Sequence, residues 1–342
     1  MDDHGFIEPR AGSSATVTII LSTFNGQNFL RAQLTSLLTQ SHENWTLFWR
    51  DDGSTDDTVA IMQEFAASLP AGRCVQSSGS GVHLGAAPSF LALLREAAAR
   101  SQSAIAFADQ DDVWLPEKLA NAMAWLAGNN DTPALYCARQ FLVNETLQNL
   151  RLSVNHNPVP GFPACLTQNI ANGNTLVINA RAASLIAIIT PPAGTVHDWW
   201  SYIVVSACGG HIYFDEEPQL LYRLHKRNLM GTARPLPARA LAALRRGPKI
   251  FMTMMRRHTE ALAGNPGLLP LASRRQVKLI QSALDGSPPG RFRALSIKNF
   301  RRRTALENLL FGYWFLTATP QHPGRRTAAD AMLHPAPLSP ES

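Results

Sequence analysis

An α/β fold is what this sequence predicts: an open mixed, mostly parallel sheet followed by a basic helical region. Three observations lead to it. Strand, loop and helix patterns alternate from the N-terminus to about residue 126. Polar clusters stand where successive strands end. Charge changes sign along the chain: residues 232–342 hold 18 Lys/Arg against 5 Asp/Glu, whereas the first 231 residues hold 13 against 20.

The elements follow in order. Residues 16–22 (TVTIILS) are a short β-branched apolar run, read as a buried strand, and Thr23-Phe24-Asn25-Gly26 is its turn. Phe29, Leu30, Gln33, Leu34, Leu37 and Leu38 share one face of a helix over 27–40. Residues 45–50 (WTLFWR) form a second strand ending in Asp51-Asp52-Gly53-Ser54, and Ser54 or Thr55 caps a helix over 56–67. Residues 74–76 are a weak third strand, 79–85 a loop, 88–101 a helix, and 104–108 a fourth strand leading into Asp109-Gln110-Asp111-Asp112. Further on, helices are expected over 119–126, 180–189 and 198–207, and strands over 134–143, 173–179 and 212–214. Gly231 and the Pro235/Pro237 pair mark a boundary. Basic helices are expected beyond it, over 238–245, 249–263, 273–284 and 296–314. Four segments result: a disordered start over 1–14, a catalytic domain over 15–230, a helical region over 231–320, and a disordered tail over 321–342.

Composition excludes several classes. The chain has 342 residues, 45% hydrophobic and 16% charged, which is globular rather than disordered or collagenous. No apolar run approaches the roughly 18–20 residues that span a bilayer. The first 14 residues lack an apolar signal core, and Cys74, Cys137, Cys165 and Cys208 show no CxxC spacing. A cytoplasmic protein without a zinc ribbon or disulfide framework is expected.

Asp109-Gln110-Asp111-Asp112 is the sharpest chemical signal. Carboxylates at i and i+2 on a loop leaving a strand can share a hard divalent ion, and Mg²⁺ or Mn²⁺ bridges such oxygens to substrate phosphates. A solvated acidic turn or a helix cap is the alternative. Three acids after a buried strand repel one another unless a cation joins them, and capping needs only one. Asp51-Asp52 is a second acidic turn, able to accept from a nucleobase or ribose or merely to shape the turn. Asp198, before Trp199 and Trp200, is either a helix cap or a general base whose pKa desolvation raises. Tyr222-Arg223-Leu224-His225 offers a cation and an imidazole for phosphate or metal.

The ordered set Ser22-Thr23-Phe24-Asn25, Asp51-Asp52-Gly53-Ser54-Thr55-Asp56, Asp109-Gln110-Asp111-Asp112-Val113-Trp114, His197-Asp198-Trp199-Trp200 and Tyr222-Arg223-Leu224-His225 resembles family 2 glycosyltransferases of GT-A fold, and within them the bacterial rhamnosyltransferase-like branch. The resemblance covers about residues 15–230. It implies nucleotide-sugar contacts from Thr23, Phe24, Asn25, Asp51, Asp52, Gly85, Asp109 and Gln110. It implies a Mn²⁺ or Mg²⁺ site at Asp109, Asp111 and His225, with Asp198 as catalytic base. Gly173-Asn174-Thr175 matches a stretch near the acceptor side. His83 stands where many relatives carry Asn, and no QxxRW signature follows, which argues against a processive synthase.

What the resemblance implies is single displacement with inversion. The donor is a dTDP-, UDP- or GDP-linked sugar and the acceptor a glycan or lipid-linked glycan of O-antigen or capsule. The basic stretches 249–257 and 301–303 lie beside apolar and aromatic residues. That mixture suits peripheral contact with the inner face of the membrane, or a helical subdomain packing its apolar side. No nucleic-acid recognition motif accompanies the charges. Two rivals remain: a sugar-phosphate nucleotidyltransferase, whose Gly-rich triphosphate loop is missing at residues 23–26, and a catalytically silent polysaccharide-assembly scaffold, which would have no use for Asp109, Asp111 and Asp198 together.

Overall fold

The computed structural model describes residues 15–100, 103–225, 248–286 and 288–317. The expected disordered ends and the helix expected over 238–245 lie outside them. The chain folds as two compact units. One takes the described parts of Met1–Asn157 with Ala171–Ala187 and His211–His225. The other takes Pro158–Ile170 and Ile188–Gly210 with the described parts of Lys226–Ser342.

The first unit begins as the alternation predicts. Strand β1 (Val17–Thr23) is followed by α1 (Leu30–Leu38), β2 (Trp45–Asp51), α2 (Thr58–Ala67), β3 (Cys74–Gln76), α3 (Ala86–Arg100) and β4 (Ala104–Ala108). These strands lie parallel in the order β3-β2-β1-β4. Val17, Ile19 and Leu21 of β1 pack with Leu30, Leu34 and Leu37 of α1 and with Trp45, Leu47 and Trp49 of β2 in one continuous core. Ile20 on the opposite face of β1 is equally buried, as expected of a parallel sheet covered on both sides.

Beyond β4 the sheet is mixed, not mostly parallel. After β5 (Val113–Trp114) and α4 (Lys118–Ala127) come β6 (Ala134–Val143), β7 (Asn149–Leu152), β8 (Val177–Ile178), α5 (Ala180–Ile188) and β9 (His211–Arg223). The order continues β4-β8-β6-β9-β5. Strand β8 is antiparallel to both neighbours, β6 runs parallel to β9, and β5 is antiparallel to β9. The strand expected over 173–179 shrinks to β8. Gly173–Thr175 form a 3₁₀ turn instead, closed by the Thr175 hydroxyl on the Asn172 carbonyl at 2.8 Å. Strand β9 runs far past the expected 212–214. It absorbs Pro218 where its pairing with β6 shifts register, which is where a missing N–H is tolerated.

The cap expected for α2 is also different. Ser54 donates to Asp51, and the Asp56 carboxylate instead accepts from the Thr58 N–H at 3.0 Å.

In the second unit, α6 (His197–Ala207) is followed by α7 (Pro248–Ala263), α8 (Leu271–Asp285), α9 (Pro288–Leu295) and α10 (Ala305–Thr317). The helix expected over 296–314 is broken. Asn299 adopts φ 68°, and Thr304 starts α10 afresh. The Glu307 N–H donates to Thr304 Oγ1, while Thr304 N donates back to Glu307 Oε2, a capping box that was legible as Thr-x-x-Glu.

Two histidines lie inside this unit. His258 Nε2 sits 2.8 Å from Thr195 Oγ1, its ring stacked on Trp200 and edge-on to Trp199. Burial pushes both His258 and His197 down to about 3. A histidine kept neutral when folded, but free to bind a proton near 6.5 when unfolded, costs nothing above about pH 6.5 and erodes stability as pH falls toward 3. Lowering the pH from about 7.5 to about 5 is expected to remove roughly 2 kcal/mol per histidine. Urea midpoints at the two pH values measure this, and His258→Gln is expected to show the smaller drop.

Candidate active site

The register of β1, β2 and β4 brings the polar turns to one edge. Thr23 pairs with Asp51, and Leu21 with Ala108, so Asp109 leaves β4 level with the end of β1. Strand β4 is wholly buried, and the carboxyl ends of these strands are where an open α/β sheet offers a ligand crevice.

Asp51 builds the second turn. Oδ1 accepts from Thr23 Oγ1 at 3.0 Å and Ser54 Oγ at 2.6 Å, and Oδ2 from the N–H groups of Gly53 and Ser54 at 2.9 and 2.7 Å. Four bonds fill the sites a carboxylate offers, so Asp51 is an organiser of its loop. Asp52 does the same for residues 82–85. It accepts from Leu84 N at 2.7 Å, Gly85 N at 2.8 Å and the buried Arg50 guanidinium at 2.5 Å. Arg50 also reaches Ser89 and the Val82 carbonyl. Arg50 carried no chemical signal in sequence, because an Arg closing a strand reads as a solvated end. His83 lies 3.0 Å from the Asp52 carbonyl, with its ring 4.8 Å from that of Phe24. Phe24 itself is 43% exposed.

The turn after β1 is pinned from two sides. Asn25 takes φ 47°, a left-handed conformation that Asn tolerates. Its Oδ1 accepts from Thr55 N at 2.9 Å, and its own N–H donates to Ser54 Oγ. From the acidic loop, the Gln110 amide clamps Phe24. Oε1 accepts from Phe24 N at 2.8 Å, and Nε2 donates to Phe24 O at 2.9 Å. A Cβ built on Gly26 would overlap that amide.

Asp109, Asp111 and Asp112 offer carboxylate oxygens that all lie within 4.8 Å of one another. None of them caps the following helix, whose N-cap is Glu117. Asp112 is fully buried: Oδ2 accepts from Asn174 Nδ2 at 2.5 Å and Oδ1 from Arg223 N at 3.3 Å. Its carboxyl is raised well above the usual range, by burial first and then by repulsion from Asp111 and Asp109. Beneath it lies Lys118, also fully buried, with Nζ donating to Asn174 O at 2.8 Å and 3.2 Å above the Trp114 ring. Burial lowers the Lys118 pKa, and the charges of Asp112 and Asp109 oppose that. His225 Nε2 lies 2.7 Å from Asp111 Oδ2, and Arg223 Nε donates to the Asp111 carbonyl.

Three hard oxygen donors, mutually repelling and close enough to share one ion, fit a divalent cation. Asp112 stands with the expected Asp109 and Asp111, and the expected His225 adjoins them through Asp111. Lys118 escaped sequence reasoning, since a lone Lys at a helix start reads as solvated; Asn174 entered it only through the resemblance, with no hint of its bond to Asp112.

Asp198 belongs to the second unit. It is not the cap of α6, which is Val196; it sits in the first turn, almost fully buried, with Oδ1 accepting from Trp199 N. The Trp199 indole N–H donates to the Cys165 carbonyl at 2.7 Å, and Trp200 is wholly buried.

Organised loops and a carboxylate cluster stand together at the ends of parallel strands, where an open α/β sheet takes its ligand. Comparison with known proteins supplies the class. Residues 18–174 match the model of glycosyl transferase family 2. The chain is an enzyme of sugar transfer, and the part of it that carries β1 to the Gly173–Thr175 turn is similar to family 2 glycosyltransferases. It is 28% identical over 221 residues to the dTDP-rhamnosyl transferase RfbG of Shigella flexneri, covering 62% of this chain and 73% of that one. It is 32% identical over 114 residues to the UDP-Glc:alpha-D-GlcNAc-diphosphoundecaprenol beta-1,3-glucosyltransferase WfgD of Escherichia coli, covering 33% and 42%. The fold is shared with S. aureus TarS 1–349 in complex with UDP-GlcNAc, at a TM-score of 0.54 and 14% identity over 78% of this chain and 71% of that one.

Two outcomes test the architecture. Gly26→Ala and Gln110→Ala are each expected to cost about 1–2 kcal/mol by breaking the clamp on Phe24, and the double variant no more than either alone. Urea unfolding of the three variants measures that. Lys118→Met is expected to cost about 2 kcal/mol by removing the buried Nζ that donates to the carbonyl of Asn174, the residue that holds Asp112; urea unfolding measures it.

Proposed function

We propose that this enzyme is an inverting, Mn²⁺- or Mg²⁺-dependent glycosyltransferase. Its donor would be a nucleotide-linked sugar, rhamnose in a dTDP-sugar being first choice, and its acceptor a glycan or lipid-linked glycan in cell-surface polysaccharide assembly. The observation that carries the reading is the carboxylate triad at the end of β4, whose oxygens crowd within 4.8 Å of one another. The rhamnose preference is supported by the likeness to RfbG, and the lipid-linked acceptor by the likeness to WfgD.

Thr23, Phe24, Asn25 and the 82–85 loop would line the nucleotide pocket, with Phe24 presenting an exposed ring to the base and the backbone of the loop held in place by Asp52. Asp109, Asp111 and Asp112 would hold the cation, oriented by His225, Asn174 and Arg223. A bound divalent ion supplies neutralising charge for a departing diphosphate. Asp198 would accept the proton of the acceptor hydroxyl as its oxygen bonds to the anomeric carbon. The bond from that carbon to the diphosphate oxygen breaks in the same step, releasing nucleoside diphosphate with inversion.

A peripheral position on the cytoplasmic face of a membrane fits a lipid-linked acceptor. Among the described residues no helix is long and apolar enough to cross one.

Transfer assays with dTDP-, UDP- and GDP-sugars, with and without Mn²⁺ or Mg²⁺, test the reading. EDTA is expected to abolish turnover and Mn²⁺ to restore it. Asp111→Ala and Asp198→Asn are each expected to lower kcat by about 10²-fold or more with the fold intact. Normal turnover in either variant overturns the corresponding assignment.

A further inference from the structure

Helix α10 has apolar residues on both faces but is covered on one. Phe311 and Phe315 point inward and meet Phe300, with ring centroids 5.2 and 5.3 Å from it. On the opposite side, Leu306, Leu309 and Tyr313 follow one another at i, i+3 and i+7 and are 61%, 71% and 63% exposed. A helix that is apolar all round is ordinarily covered all round. Neighbouring α9, which packs against α10, adds Phe292 at 61% exposure.

Charge in residues 288–317 is predominantly basic. Arg293, Lys298, Arg301 and Arg303 are all exposed, and the one acid within residues 288–317, Glu307, accepts from Arg302 and Thr304. The 13-residue helix, about 20 Å long, carries no cation of its own; the four basic residues stand on α9 and the connection leading into α10.

We propose that the Leu306–Leu309–Tyr313 face of α10 docks this enzyme on an anionic bilayer, with Arg293, Lys298 and Arg301 against lipid phosphates. The proposal rests on the peripheral-membrane reading above and names the surface that performs it. Pairing with a second copy through the same face would set these cations against their own symmetry mates, whereas anionic lipid neutralises them.

The test is co-sedimentation of the full chain with phosphatidylglycerol-rich vesicles and with pure phosphatidylcholine vesicles. Wild type is expected to bind the anionic vesicles at least about tenfold more tightly than the neutral ones, and to lose that binding in high salt. Leu309→Glu/Tyr313→Glu, and the milder Leu309→Ser/Tyr313→Ser, are expected to reduce partition about tenfold or more, leaving the melting temperature and turnover of a soluble acceptor unchanged. If wild type ignores both kinds of vesicle, the peripheral-membrane reading fails and the proposal with it. If wild type binds and both variants bind equally well, the assignment to α10 alone is overturned. Equal binding to neutral lipid, or a dimer lost in the variants without vesicle binding, overturns it too.

Discussion

Everything at the candidate site depends on holding three carboxylates together at the end of a buried strand. Strand β4 is apolar throughout and surrounded by sheet, so it delivers Asp109, Asp111 and Asp112 to a place where water screens them poorly. Such a cluster persists only if the fold supplies what water does not. Lys118 lies fully buried beside it, Asn174 joins Lys118 to Asp112, and the backbone of Arg223 donates to the same carboxyl group. These partners come from a helix, a 3₁₀ turn and the last strand, so the mixed half of the sheet serves to electrostatically complete what the parallel half presents.

The same economy governs the ends of β1 and β2. Carboxylates there serve as scaffold. Asp51 closes its own turn with four hydrogen bonds, and Asp52 with Arg50 suspends the 82–85 loop from its backbone. Gln110 then couples the two halves of the edge, because a residue of the acidic loop holds both backbone groups of Phe24. The carboxylate cluster and the turn after β1 are therefore mechanically linked through one amide.

Much of this was legible in sequence, for identifiable reasons. Short apolar runs with β-branched residues gave β1, β2 and β4, and the motifs at their ends followed. What stayed hidden was tertiary. Lys118, Asn174 and Arg50 are polar residues whose burial depends on partners from distant segments, and local pattern carries no trace of that. Sheet direction beyond β4 was hidden too, since β8 is only two residues long and its antiparallel pairing is set by its neighbours. The break before α10 was written in the Thr304–Glu307 capping box but masked by the apolar run that surrounds it.

The suspension of the 82–85 loop by Arg50 and Asp52 separates path from composition. The backbone there is fixed by groups underneath it, and Gly85 takes the left-handed turn at φ 86°. Val82 and Leu84, both largely exposed, contribute only their main-chain atoms to that attachment. Their side chains are free to diverge without disturbing the mounting. A family of enzymes could in this way exchange the rim of a pocket like a fitting on a fixed bracket, acquiring new ligand preferences at almost no cost in folding stability.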